Sequence, residues 1–295
     1  DRLVLSLRIL ERLAREPDLD GWGGLGLAVQ AYQKRGRLVI EKLIALGRDC
    51  GRRFLVRLVK GAYWDTEIKM AQQMGWSDFP VWTTKPATDL NYLVCARMML
   101  SAPEAIYSQF ATHNAHSLSA VREMAQQAGV DSYEFQRLHG MGDALYAAAA
   151  DAHGERAVRV YAPVGSHEDL LPYLVRRLLE NGANTSFVHS FLDPDVPVED
   201  VARGPFEKAI DIKRHPSIPA PMALYGDDRM NSTGTDLSQT AVCERVASAV
   251  KALHASLPIS ATAMIGDTAS TGPAQAITNP ADRSAIIGHI VEASI

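Results

Sequence analysis

Residues 54–61 read Phe-Leu-Val-Arg-Leu-Val-Lys-Gly. The run is short, mostly apolar and rich in β-prone residues, with Arg52-Arg53 before it and Gly61 closing it. Apolar residues stand at consecutive positions instead of alternating with polar ones. That is the pattern of a strand covered on both faces, the usual state of a strand in a parallel sheet. Successive side chains on a strand alternate faces, so Leu55, Arg57 and Val59 share one. Arg57 is the anomaly. A guanidinium in such a place needs an anion or a bound ligand, or else it is half of a buried structural ion pair.

The same alternation of short apolar runs and helical periods repeats on either side. Strands are expected near 25–30, 54–60, 106–112, 133–138 and 157–162. Helices are expected over 2–16, 38–45, 66–74, 91–100, 117–128, 144–152 and 168–180. Asp89 is placed as the N-cap of the 91–100 helix, and Gly129 closes the 117–128 helix. Ser166-His167-Glu168-Asp169 resembles a capping box with Asp in place of Glu, and Asn181-Gly182 ends that helix. Strand and helix at regular spacing mean βα units and a parallel sheet. A (βα)8 barrel needs eight strands; an open doubly wound sheet can be built with five. Pattern alone leaves both open, although no G-x-G-x-x-G follows a strand.

Beyond residue 190 the character changes. Pro194, Pro197, Pro205, Pro216, Pro219 and Pro221 mark a loop-rich connection, and 236–256 is helical. Residues 258–282 are small and polar and suit a linker, and 285–291 opens a further strand. The domain reading is 1–190, 191–257 and 258–295. The chain has 295 residues, 47% apolar and 22% charged, with a net charge of −4. Neither nucleic acid nor an anionic membrane is implied as main partner. Cys50, Cys95 and Cys243 are widely spaced and lack metal-ligand spacing, which suits a reduced, intracellular compartment. No apolar run approaches the roughly 20 residues of a membrane span. An opening at Asp1 and an end at Glu292-Ala293-Ser294-Ile295 read as an excerpt of a longer polypeptide.

In a parallel βα array the chemistry gathers where strands end. Four strand ends are polar here. After Arg57 come Lys60 and Gly61, where backbone can approach a ligand, then Tyr63 and Trp64, which can stack on one or fill core. Thr112-His113-Asn114-Ala115-His116 suits hydrogen bonding to a cofactor; with no nearby carboxylate or third His, a metal is the weaker reading. In Glu134-Phe135-Gln136-Arg137-Leu138-His139-Gly140-Met141-Gly142, Gln136 and Leu138 share a face, in a loop over a ligand or an ordinary βα turn. Finally, Tyr161 ends a strand, and the next helix places Tyr173, Arg176, Arg177 and Glu180 on one face. Two arginines can hold a carboxylate, or the face is solvated with a weak Arg176–Glu180 pair.

The strings RLVKGAYW (57–64), THNAHS (112–117), YEFQRLHGMG (133–142), YAPVG (161–165) and YLVRRLLENGANTSFV (173–188) resemble the proline dehydrogenase domain of proline utilization A proteins. The likeness covers about residues 1–240. Ile277-Thr278-Asn279-Pro280-Ala281 resembles the start of an aldehyde dehydrogenase domain.

The resemblance implies a (βα)8 TIM-type barrel with about five of its eight units present, followed by a linker and that second domain. It implies noncovalent FAD and oxidation of L-proline to Δ1-pyrroline-5-carboxylate, with hydride passing to flavin N5. Quinone at the membrane reoxidises the flavin, and the second domain oxidises glutamate semialdehyde with NAD. A homo-oligomer in the cytoplasm, peripheral on the inner membrane, is implied; nucleic acid enters only with an additional N-terminal domain.

By the same resemblance, Arg176 and Arg177 hold the substrate carboxylate and Glu180 orients Arg176. Tyr161, Tyr173 and Leu138 wall the substrate ring. Arg57 lies by flavin N5. Gln30, Val59, Gly61, Trp64, Thr112, His113, Asn114 and Gln136 touch the cofactor. By the resemblance, the family's earlier strands supply a Lys and an Asp that precede Asp1, so the segment alone is expected to be poorly stable or inactive. The competing readings are an aldolase-like barrel enzyme with Lys60 as its Schiff-base lysine, and a non-catalytic barrel fragment.

Overall fold

The computed structural model describes residues 3–175, 197, 199, 203–211, 214–237 and 239–293. They fall into two compact units, Asp1–Thr233 and Gly234–Ile295.

The first unit opens with helix α1 (Leu3–Ala14), then alternates: β1 (Gly26–Gln30), α2 (Gly36–Cys50), β2 (Phe54–Val59), α3 (Trp64–Gln73) and α4 (Lys85–Leu100), β3 (Ile106–Ala111), α5 (Ala115–Gln127), β4 (Tyr133–Leu138), α6 (Asp143–His153) and β5 (Val158–Tyr161). The strands pair in chain order, β1-β2-β3-β4-β5, each pair parallel. All five expected strands are present, within two residues of their expected ends.

One face of this sheet carries the core. Phe54, Val56 and Leu58 of β2 are fully buried, as are Ile106 and Phe110 of β3 and Phe135 of β4. Against them lie Ile40 and Leu43 of α2, Tyr92, Cys95 and Met99 of α4, and Leu118 and Val121 of α5. Each large apolar side chain so buried contributes roughly 1.5–3 kcal/mol. Phe110, Tyr133, Phe135 and Tyr146 stack in tilted and edge contacts 5.6–6.2 Å apart. Helix α2 lies close because Gly47 has no side chain: a Cβ there would stand 2.9 Å from the Arg52 carbonyl and 3.0 Å from Ala105 Cβ.

Two local expectations are corrected. Helix α4 begins six residues before its expected start, with Thr84 as its extended N-cap. Pro86 sits in the first turn, where a missing N–H costs nothing. Asp89 is therefore not a cap; it lies inside the helix, with Lys85 four residues before it. At Ser166 the capping box forms in part. The Ser166 hydroxyl accepts from Asp169 N at 3.2 Å and donates to Asp169 Oδ2 at 2.7 Å, and residues 167–175 are helical. The expected end of that helix, Asn181-Gly182, lies outside the described residues. The proline-rich connection also holds a helix, α7 (Pro205–Asp211), beside α4.

In the second unit, α8 (Thr240–Ala255) matches the expected helix. Residues 258–282, expected as a linker, are largely β-structure. Strands β6 (Ile259–Thr262), β9 (Gln275–Asn279) and β10 (Asp282–Val291) form a sheet in the order β6-β10-β9. Between β6 and β9, β7 (Met264–Ile265) and β8 (Thr268–Ala269) pair antiparallel. Among the small polar residues that read as linker stand Thr and the larger, apolar Ile, both of which favour strands once a neighbour is available. Among the described residues no helix is long and apolar enough to cross a membrane.

Candidate functional site

Strand register decides which side chains meet. Ala28 of β1 pairs with Arg57, Arg57 with Gln109 of β3, and Gln109 with Glu134 of β4. One layer toward the strand ends, Gln30 pairs with Val59, and Ala111 with Gln136 and Gln136 with Arg159; beyond them Leu138 pairs with Tyr161. The face opposite the helix-packed core is therefore polar, and it gathers six of the expected residues: Gln30, Arg57, Val59, Gln136, Leu138 and Tyr161.

Arg57 is half-buried, and its guanidinium carbon lies 4.4 Å from the centre of the Tyr161 ring. Its Nε is buried without a hydrogen-bond acceptor. An orphaned charged donor of this kind is costly, and a ligand acceptor would remove the cost. The bland reading of Arg57, a buried ion pair, is not what the described residues form.

Beside it lies a network that sequence reasoning missed. Glu134 is buried, and its Oε1 accepts from Gln109 Nε2 (2.9 Å), Gln136 Nε2 (2.8 Å) and Arg159 Nε (2.7 Å). Its Oε2 accepts from Arg159 Nη2 at 2.8 Å and the Tyr107 hydroxyl at 3.4 Å. Burial pushes the carboxyl pKa up; the Arg159 and glutamine hydrogen bonds outweigh that and hold it below the ordinary value. The signal was present: the parity that exposed Arg57 also places Glu134 on the face of Gln136.

At the ends of the strands, Gly61 adopts φ +133°, and a Cβ there would meet the Tyr32 ring at 2.4 Å. Only glycine lets this turn pass over Tyr32. Trp64 donates Nε1–H to the Trp82 carbonyl at 2.8 Å. Lys60 points to the helix side: its Nζ is 2.6 Å from Asp89 Oδ1 and 5.8 Å from the Tyr92 ring centre. Lys85 Nζ is 2.6 Å from Asp89 Oδ2. Burial lowers the Lys60 pKa. For Asp89, burial raises it, but the two ammonium groups prevail and hold it low. The Lys60 contact is off the hydrogen-bonding direction, and the Thr84 hydroxyl at the start of α4 is also buried without a partner.

Three residues of the 112–114 turn serve the turn itself. Thr112 Oγ1 accepts from Asn114 N at 3.1 Å, and Asn114 Oδ1 caps α5 by accepting from Ser117 N at 2.9 Å. His113 Nε2 accepts from Leu138 N at 3.1 Å, so its ring proton sits on Nδ1. Tyr173 is half-buried in the helix at 167–175. Arg176, Arg177 and Glu180 lie outside the described residues.

The family model for proline dehydrogenase matches residues 1–190. The bifunctional protein PutA of Klebsiella aerogenes is 46% identical over 100% of this chain, which covers 23% of that protein. Among solved structures, a variant of proline utilization A from Bradyrhizobium japonicum is 50% identical with a TM-score of 0.78; the match covers 85% of this chain and 26% of that one. Proline utilization A from Bdellovibrio bacteriovorus is 31% identical, with a TM-score of 0.81 over 98% of this chain and 30% of that one. The chain thus spans about a quarter of the length of the curated relatives it matches.

Proposed function

The chain belongs to the proline dehydrogenase family, and from that premise we propose that its polar sheet face holds FAD and L-proline for oxidation to Δ1-pyrroline-5-carboxylate. The observation that carries the reading is Arg57: a buried donor without an acceptor, fixed over Tyr161, at the centre of the face. An oxidised flavin edge offers acceptors to that donor, and a guanidinium stabilises the negative charge of the reduced ring. The start of α4 suits the cofactor's phosphates, because two ammonium groups and a helix N-terminus against one carboxylate leave net positive charge.

FAD, when bound, accepts the hydride that leaves proline C5. The chain's part is to bind, orient and exclude water. Tyr161, Tyr173 and Leu138 wall the substrate ring. Arg176 and Arg177 clamp its carboxylate and Glu180 aligns Arg176. Gln30, Val59, Gly61, Trp64 and Gln136 line the cofactor; Thr112, His113 and Asn114 shape the turn beside it.

The five strands are, in this proposal, consecutive strands of a (βα)8 barrel. Residues 258–295 lead into an aldehyde dehydrogenase domain that uses NAD to convert glutamate semialdehyde to glutamate. A membrane quinone takes the electrons from a cytoplasmic, peripherally attached homo-oligomer. Nucleic acid would be a partner only through a separate N-terminal domain. The aldolase-like alternative is disfavoured by Lys60, whose amine is ion-paired to Asp89 on the helix side of the sheet.

Substituting Arg176→Ala or Arg177→Ala in the intact protein tests the substrate assignment. A lost charge-assisted hydrogen bond costs roughly 1.5–3 kcal/mol. Proline binding is therefore expected to weaken roughly 10- to 150-fold, with flavin retained. Unchanged proline affinity in both variants would remove the clamp.

A further inference from the structure

Glu134 is in no set of residues assigned above to substrate or cofactor, yet it organises the face between them. Its carboxylate receives both glutamine amides and both forks of Arg159. An ionised carboxylate is an acceptor only. Each amide must therefore turn its NH2 toward Glu134, which removes the usual ambiguity between amide oxygen and nitrogen. The Gln136 oxygen is then turned away from Glu134, and among the described residues no group donates to it.

Two groups without a partner among the described residues thus stand on one face: a buried donor, Arg57 Nε from β2, and an acceptor, Gln136 Oε1 from β4, whose amide nitrogen is held by Glu134. A ligand that satisfies both presents an acceptor and a donor along one edge. The pyrimidine edge of an oxidised isoalloxazine has that sequence, with N5 and O4 as acceptors and the imide N3–H as donor. We propose that Glu134 is a positioning residue that locks the Gln136 amide so that its oxygen receives the flavin N3–H. This rests on the flavin reading of the site.

The substitution Glu134→Gln keeps the shape but replaces the acceptor-only group with an amide, which frees Gln136 to turn. Gln136→Met removes the acceptor outright. The probes are FAD and N3-methyl-FAD, titrated into the apo form of the intact protein by flavin fluorescence. The readout is the ratio of the two affinities.

The wild type is expected to prefer FAD by about tenfold or more, since N3-methylation leaves unmatched an acceptor that the bound flavin covers, at a cost of roughly 1–3 kcal/mol. In Glu134→Gln and in Gln136→Met the preference should shrink to about threefold or less. A preference that persists unchanged in both variants reflects the size of the methyl group alone and overturns the proposal. Equal affinities in the wild type overturn it as well, while leaving flavin binding intact. A wild type that binds neither flavin removes the flavin reading itself. Should Glu134→Gln fail to fold, an unchanged preference in Gln136→Met still overturns the proposal.

Discussion

Arg57 concentrates the chemistry of the face in one side chain, and its removal separates electrostatics from packing. Arg57→Met keeps the apolar stem against Tyr161 but deletes the cation. The flavin midpoint potential is expected to fall, because the reduced anionic ring loses its partner; spectroelectrochemistry of the bound flavin measures it, and an unchanged potential would place Arg57 away from the ring. Glu134→Ala orphans two buried amides, Gln109 and Gln136. At roughly 1–3 kcal/mol for each, the loss should be about 2–6 kcal/mol in urea unfolding, and a loss under about 0.5 kcal/mol would show that water replaces the carboxylate. Arg57 was legible in the sequence because a charge inside an apolar strand has few explanations. The Glu134–Arg159 pair was not, because it depends on the register of β4 against β5, and residue spacing does not encode register. Lys60 and Asp89 escaped for a related reason: with Asp89 taken for a cap, its carboxylate had no reason to face a strand end.

At the scale of elements, the strands were read almost to the residue. Parallel strands covered on both faces leave nearly continuous apolar runs, and β2 is of that kind apart from Arg57; β3 and β4 alternate, with Gln109, Glu134 and Gln136 on the polar face. Helix starts were harder, since Thr84-Lys85-Pro86 competes with Asp89 as an N-terminal signal and the proline decides. The strands of the second unit were missed at 258–282 because their composition is small and polar, and only pairing, of β6 and β9 with β10 and of β7 with β8, makes them strands. Close packing yields its own test. Gly47→Ala gains helix propensity of up to about 1 kcal/mol but drives a methyl into the Arg52 carbonyl and Ala105, and overpacking costs roughly 1–3 kcal/mol. The melting temperature is expected to fall; a rise would mean that α2 can move outward freely. Gly61→Ala meets the Tyr32 ring and a disfavoured φ together, so flavin retention should drop even where the helical circular dichroism is preserved.

Over the whole molecule, buried titratable groups tie stability to acid. His116 is pushed below its ordinary 6.5 by burial, against the pull of Asp89. Its unfolded form takes up a proton first, so stability declines as pH falls below 6.5. Glu134 and Asp89 are held below 4.5 and 3.8. Their contributions are complete above those values and vanish as pH falls through the lower native ones, so the decline should steepen there. Urea midpoints across the acid range report this, and Glu134→Gln should flatten the lower part of the curve; identical slopes in variant and wild type would remove Glu134 from the account. Five strands suited either a barrel or an open sheet by pattern alone, and it was the family strings at the strand ends that pointed to a barrel. The central claim is that this face holds a flavin that L-proline reduces. An anaerobic visible spectrum of the intact purified protein, taken before and after L-proline, tests it directly. The expected result is an oxidised-flavin spectrum that bleaches on addition of proline. A flavin spectrum that proline leaves unchanged would contradict the substrate, and a colourless protein that takes up no added FAD would contradict the claim altogether.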